Sequence, residues 1–387
     1  MMTADNSPLW DDAPWTPFAP LVGAAVADVC VVGLGGTGLT AVGEALDRGL
    51  SVIGIDAGPV AGAAAGRNGG FLLAGLAEFQ HNARRLLGTD RARRLYQSTI
   101  EQVDRIAAET PQAVRRVGSL RLATTPEEEA DCRAHLASLL DDGLPAADYH
   151  GPEGTGLLIP TDAAFNPLLR CRLLARQLAD RGARLHEGVP ALHVGAGAVE
   201  TPAGTIRAGI ILLAADGRMA ALAPTLADRV RPVRLQMLGT APTDEVRIPR
   251  PVYARYGMDY WQQLPDGRIT LGGFRDAGGN AEWTTDAAPT ALVQSALEKF
   301  LRTTLGVQAP ITHRWAATVS YTSVGILPVL EEVEPGIWAM GAYNGTGNLV
   351  GPLCARAAVE MAVTGRSELG ELLGKREVGS EKREELP

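Results

Sequence analysis

Gly33-Leu34-Gly35-Gly36-Thr37-Gly38 restricts this chain more than any other stretch of its sequence. A hexapeptide of the form GxGxxG says little alone; its meaning comes from what flanks it. Residues 28–32 are a β-branched, strand-like run directly before it, and residues 39–48 carry apolar side chains at helical spacing directly after it. Gly49 stands where that helix should stop, and residues 50–55 then read as a second strand ending at Asp56. In such a strand–turn–helix–strand unit the first glycine permits the tight turn and the second lets backbone approach a pyrophosphate. The third brings helix and strand together, and the helix N-terminus supplies positive potential. Asp56 lies 23 residues after Gly33, where a carboxylate accepts hydrogen bonds from both ribose hydroxyls of an adenosine and repels a 2′-phosphate. Gly33, Gly35, Gly36, Thr37, Gly38, Asp56 and the neighbouring Ala57 are therefore expected to hold a dinucleotide other than NADP. The unit by itself does not separate FAD from NAD.

The rest of the chain has room for a second domain. With 387 residues it exceeds the usual single-domain size, and 46% hydrophobic with 21% charged residues is ordinary globular composition. A net charge of −8 without clustered basic residues argues against nucleic acid as a partner. Four cysteines, Cys30, Cys132, Cys171 and Cys354, lie far apart without CxxC spacing, so reduced thiols and no metal site are expected. The start of the chain lacks a basic, apolar leader, and no apolar run nears the roughly twenty residues a membrane helix requires, which predicts a cytoplasmic protein with no transmembrane segment. Residues 81–140, rich in Arg, Glu, Ala and Leu, predict surface helices punctuated by Pro111 and Gly118, and residues 166–179 a further amphipathic helix. Short strands are expected at 193–194, 198–201, 205–206 and 210–213. Alternating strands at 233–239, 260–264 and 268–272 with one helix at 291–305 suit a separate β-rich domain. A strand at 336–340, a glycine loop at Asn344-Gly345-Thr346-Gly347-Asn348 and a helix at 349–363 close the pattern.

Gly66-Arg67-Asn68-Gly69-Gly70-Phe71 follows the second strand, where small residues would let backbone lie against a flat ring. Taken with the Gly33 motif, the Trp10 region, Leu213-Ala214-Ala215-Asp216-Gly217, Arg314-Trp315-Ala316 and residues 341–348, it makes the chain resemble the D-amino acid oxidase/glycine oxidase superfamily of FAD enzymes. The likeness is strongest to its amine-oxidising branch of γ-glutamylputrescine oxidase-like proteins. The resemblance implies an α/β protein of glycine oxidase-like two-domain architecture: a Rossmann-type FAD-binding domain and a second, β-rich substrate domain. It places residues 1–85, 150–232 and 316–370 in the first, 86–149 and 233–315 in the second, and a charged tail at 371–387. Arg67, Asn68, Gly69, Gly70, Gly345, Thr346, Gly347 and Asn348 would join the cofactor site, the second loop starting a helix aimed at the pyrimidine edge of the flavin.

The resemblance further implies hydride loss from the α-carbon of an amine or amino acid to flavin N5, an imine that hydrolyses, and oxygen or another electron acceptor. Three departures stand out. The position before Tyr321-Thr322 where relatives attach flavin to a cysteine holds Val319 or Ser320, so the FAD should be noncovalent. Thr270 stands near the place of an oxygen-activating lysine, and Ala65 replaces a serine beside the flavin. For an amino-acid substrate, Arg275 is the first candidate to hold the carboxylate, with Tyr256 and Tyr260 lining the same pocket. His81, His135, His150, His186, His193 and His313 form no catalytic constellation and are expected at the surface. Two alternatives remain open at this stage: an NAD-dependent dehydrogenase, and a flavin-bound subunit without catalysis of its own.

Overall fold

The β-branched run that precedes the glycine motif becomes the centre of a parallel sheet, because four consecutive apolar residues suit a strand buried on both faces. A computed structural model of the chain describes residues 6–12, 14–195 and 197–374; the tail expected at 371–387 lies outside them from residue 375 onward. Strand Ala25–Val32 pairs in parallel with Val52–Ile55 on one side and Gly204–Leu213 on the other. Arg184–His186 and Ile337–Gly341 extend the sheet outward, also in parallel. In chain order the five strands run third, second, first, fourth, fifth, the arrangement of a dinucleotide-binding fold. A hairpin of His193–Gly195 and Ala198–Thr201 pairs antiparallel with the first residues of Gly204–Leu213, on the side that Ile337–Gly341 takes farther along, and Val329–Glu334 pairs antiparallel with Ile337–Gly341 at that same edge. The separate strands expected at 205–206 and 210–213 are one strand, Gly204–Leu213. Helices Gly36–Asp47 and Gly347–Thr364 cover the sheet, and Val29, Val31, Leu39 and Val42 share a core with Ala355, Ala358 and Val359.

A second sheet has eight strands in the order Ile311–Thr322, Val230–Thr240, Ile269–Gly273, Asp259–Gln263, Val252–Ala254, Ser119–Leu122, Gly154–Ile159 and Ala147–Gly151. Only Val252–Ala254 and Ser119–Leu122 pair in parallel. Helix Ala291–Thr303 covers one face, burying Val293, Leu297 and Leu301 against Leu120, Val252, Trp261 and Leu271. Residues two apart along a strand share a face, so Tyr253, Tyr260 and Gln262 look the other way, toward the first domain. A small third sheet joins Phe71–Leu72, Ala163–Phe165 and Val114–Arg115 between the two.

Three expected boundaries fall elsewhere. The cut at 149/150 runs through the hairpin of Ala147–Gly151 and Gly154–Ile159, both strands of which belong to the second sheet. The cuts at 232/233 and 315/316 pass through two long strands that pair from Val230 and Thr322 to Thr240 and Ile311. Helix Thr89–Glu109, assigned from the sequence to the substrate domain, buries Ala92 and Leu95 in the core of the first. An amphipathic stripe says that a helix packs, not on what. Among the described residues no helix is long and apolar enough to cross a membrane, and all four cysteines are free and buried.

Candidate cofactor and substrate site

The glycine motif turns where the sequence places it. Gly33 has φ 105°, and a β-carbon there would lie 2.5 Å from the carbonyl oxygen of Ala214, just past the end of the neighbouring parallel strand Gly204–Leu213. Gly38 faces back onto the turn: its β-carbon would lie 1.8 Å from the Gly33 oxygen. Asp56 is fixed at its strand end, accepting from Leu34 N–H at 2.8 Å and from Gly58 N–H at 2.9 Å. Each carboxylate oxygen keeps a lone pair for a ribose hydroxyl. Burial, with Glu187 nearby, pushes the Asp56 carboxyl above the usual carboxylate range. The ring of Tyr343 is buried and packs against Gly347 and Gly351, with the Thr37 hydroxyl on the same side. A glycine cradle without room for side chains and an oriented acid are what a bound dinucleotide would require, so the residues present fit FAD.

The two glycine loops expected beside the flavin are joined to each other. Asn68 and Asn348, 280 positions apart in sequence, exchange two amide hydrogen bonds of 3.1 Å, and Asn348 Nδ2 also donates to the Phe71 carbonyl at 2.9 Å. The backbone of the first loop is held from outside. Trp315 Nε1 donates to the Arg67 carbonyl at 2.7 Å, Trp10 Nε1 to that of Asn68 at 2.8 Å, and Gln262 Nε2 to those of Gly69 and Gly70 at 2.7 and 2.9 Å. The Arg67 guanidinium donates to the Ala316 carbonyl at 2.9 Å and to Asn6, which ties this loop to the strand Ile311–Thr322 and to the N-terminal segment. Replacing Asn348 with Ala removes the cross-loop pair and leaves the Phe71 carbonyl without a partner. A loss of about 1–2 kcal/mol in FAD binding, roughly tenfold in Kd, is the expected outcome in equilibrium dialysis.

A transverse row of residues crosses the face of the second sheet that looks onto these loops: Trp315, Met237, Gly272, Tyr260, Tyr253 and Arg121, each directly opposite the next. Tyr260 stands edge-on to Phe71 at 5.8 Å and stacks on Tyr253 at 6.4 Å. Its ring lies so near Gly69 that a β-carbon there would be 3.0 Å away. Burial pushes the Tyr260 phenol far up and that of Tyr253 up to about 12, so both remain neutral. Tyr321 enters from the adjoining strand with its hydroxyl beside Gly345. Arg275 lies over the rings of Trp283 and Tyr321 at 4.9 and 5.7 Å. Thr270, on the same face as Gly272, has a buried hydroxyl without a partner, and Ala65 sits against Gly35.

Tyr260 thus lies against the first glycine loop and Arg275 over Tyr321, whose hydroxyl is beside the second, whereas Tyr256 touches neither loop. A left-handed backbone (φ 53°) turns Tyr256 to the rim, 53% exposed, where its hydroxyl donates to Asp131 at 2.9 Å. Tyr253 occupies the place at the side of Tyr260. Only the register of strand Val252–Ala254, which the sequence does not announce, brings it there. His135 is also corrected: it is fully buried, stacked on Phe79 at 4.8 Å, with Nδ1 accepting from Gln80 N–H at 2.8 Å. Burial, with the Arg121 charge, holds it well below the usual histidine range, so it stays neutral.

Comparison with known proteins agrees with this geometry. The family model described as FAD dependent oxidoreductase, DAO, matches residues 28–361. A probable oxidoreductase OrdL of Rhizobium meliloti is 28% identical, the match covering 93% of this chain and 89% of that protein. The gamma-glutamylputrescine oxidoreductase of Escherichia coli is 25% identical over 90% of this chain and 86% of its own. Among solved structures, glycine oxidase from Geobacillus kaustophilus gives a TM-score of 0.74 at 20% identity, covering 92% of this chain and all 100% of that one. L-proline dehydrogenase from P. horikoshii gives 0.72 at 18% identity, covering 90% and 96%. At these identities the two structures speak for the fold, a two-domain α/β flavoprotein architecture.

Proposed function

The chain belongs to the family of FAD-dependent oxidoreductases, and from that premise we propose that it oxidises a carbon–nitrogen bond of an amine or amino acid. The observation that carries the proposal is the placing of an aromatic sheet face against two glycine loops that are tied together through Asn68 and Asn348. When bound, noncovalent FAD supplies the acceptor for a hydride at N5 and passes the electron pair on to oxygen or another acceptor. The chain's own residues position the substrate and exclude water.

The rings of Tyr260, Tyr253 and Phe71 form an apolar wall on which a neutral amine can lie with its α-carbon turned to the loops. Loss of hydride from that carbon and of a proton from nitrogen leaves an imine, which water converts to a carbonyl compound and the free amine or ammonia. No acid–base residue is required beyond one that keeps the amine neutral. Arg275 is proposed to hold the carboxylate where the substrate has one next to its amine. Thr270, a neutral side chain on the site face, favours an acceptor other than oxygen.

The test is an absorption spectrum followed by anaerobic titration of the holoenzyme with amines and amino acids. Flavin bands that one class of compound bleaches, with stoichiometric carbonyl product, are expected. A yellow protein that no member of the panel reduces would sink the proposal and leave a flavin-holding subunit.

A further inference from the structure

Gly36 is a glycine that the motif does not ask for. The turn needs Gly33, Gly35 and Gly38; residue 36 is a variable position between them, and it lacks the left-handed backbone that favours glycine. What the missing side chain admits is Arg170: a β-carbon at residue 36 would lie 3.2 Å from Arg170 Nη1. Arg170 stands near the start of helix Pro167–Asp180, which runs alongside helix Gly36–Asp47, Gly43 meeting Leu178 about two turns farther on. Leu168, at the start of the same helix, meets Gly66, and Ala65 meets Gly35. The guanidinium therefore sits in the corner where the glycine turn joins the first of the two loops expected beside the flavin.

That guanidinium is 2% exposed, and its own hydrogen bonding is thin. Nη2 donates to Glu109 at 3.3 Å, and Nε–H has no partner. Glu109 is the more exposed of the pair, its side chain at 34%, and its other oxygen lies 3.6 Å from Arg356 Nη2. Burial pushes the adjoining Cys171 thiol up, so it stays uncharged and adds no counter-charge. A guanidinium carries five N–H donors, and one shared carboxylate leaves most of them unserved out of water. The helix N-terminus to which Gly36 belongs would receive the dianionic pyrophosphate of FAD. Asp56 and Ala57, at the end of the second strand, bring no cation to it, and Arg67 donates to the Ala316 carbonyl and to Asn6. We propose that Arg170 reaches the cofactor pyrophosphate through the opening left by Gly36, adding a charge-assisted hydrogen bond to those of the backbone N–H groups. Gly36 and Arg170 then work as a pair, one supplying the room and the other the charge. The inference goes beyond the carbon–nitrogen reading and does not depend on it.

The test measures the affinity of the full chain for FAD, ADP and riboflavin by equilibrium dialysis, with urea unfolding of the flavin-free protein alongside. Arg170→Met should weaken FAD binding on the order of 30-fold and ADP binding in the same proportion. Riboflavin, which carries no phosphate, should stay within about twofold of its parental affinity. Arg170→Lys should recover part of the loss, because it returns a point charge without the planar fork. An Arg170→Met protein that binds FAD within about twofold of the parent, or that loses FAD and riboflavin in equal measure, overturns the proposal and makes Arg170 a packing residue beneath Gly36. Where Arg170→Met does not fold, Glu109→Gln decides. With the competing carboxylate made neutral, the guanidinium is released to the phosphates and FAD should bind a few fold more tightly. Unchanged or weaker FAD binding in that variant overturns the proposal, because Arg170 then serves only Glu109. Amine turnover enters none of these measurements, so the pyrophosphate contact and the proposed reaction stand or fall separately.

Discussion

Gly38→Ala is expected to yield a protein that purifies without its flavin. The added β-carbon would lie 1.8 Å from the Gly33 oxygen, 3.0 Å from the Gly33 carbonyl carbon and 3.3 Å from Val31 Cγ1. The first two are backbone atoms of the turn itself and have no rotamer through which to withdraw. Ordinary contact at about 3.5 Å returns only if helix and turn part by roughly 1.7 Å, which moves the N-terminus of helix Gly36–Asp47 off the pyrophosphate it would hold. Overpacking of this kind costs about 1–3 kcal/mol before any ligand contact is lost. The combined effect on FAD should therefore be at least about 100-fold in Kd. Gly49→Ala is the control: at φ 75° the residue is strained, but its β-carbon meets nothing within 4 Å and it lies at the far end of the helix. It should lose only about 1 kcal/mol of stability and keep its flavin. Flavin-to-protein ratio and equilibrium dialysis with added FAD check both. A Gly38→Ala protein that binds FAD like the parent would show that the motif is a structural turn.

How far the sequence revealed this site depended on how local each signal was. The Gly33 unit is legible because its strand, turn, helix and acid lie within one short stretch, and each has its own chemistry. The Gly66 loop was legible only through resemblance, since nothing nearby says that Trp10, Gln262 and Trp315 will take its carbonyls. Strand Ser119–Leu122 was not read at all. It is four residues long, lies in a region that otherwise reads as helix, and gains its stability by pairing with Gly154–Ile159 and Val252–Ala254. Arg121 belongs to that strand and looked like one more surface arginine. Tyr256 and Tyr253 show the same limit in small: the tyrosines are three apart, and only the left-handed turn at Arg255 and Tyr256 decides which one faces the site. Register and cross-domain pairing are long-range properties that local periodicity does not encode.

Removal of the Glu282 carboxylate should be the most destabilising single change in the second domain. Arg234 and Glu282, 5% and 1% exposed, form a bidentate pair with both N···O distances at 2.9 Å. Gln236 Nε2 adds a further 2.9 Å bond to the same carboxylate, and Arg234 also donates to the Ala281 carbonyl at 3.2 Å. Glu282→Ala leaves the buried guanidinium with the Ala281 carbonyl and the exposed Asp286 carboxylate, both at 3.2 Å, in place of its bidentate partner, and leaves the Gln236 amide with Thr290 Oγ1 alone on that side. A loss of about 3–5 kcal/mol is expected in urea unfolding at fixed free FAD. Replacing both partners by apolar residues of similar volume, Arg234→Met with Glu282→Leu, should recover most of that loss, because no charge is then stranded. The pair also bears on the site: Trp283, on which Arg275 rests, immediately follows Glu282. If the segment is held by the charge pair itself, the double variant should fold and keep FAD yet bind substrate more weakly than the parent. Apolar packing that holds the segment equally well would instead leave substrate affinity unchanged. A Glu282→Ala protein within about 1 kcal/mol of the parent would show that the charge is not buried in solution.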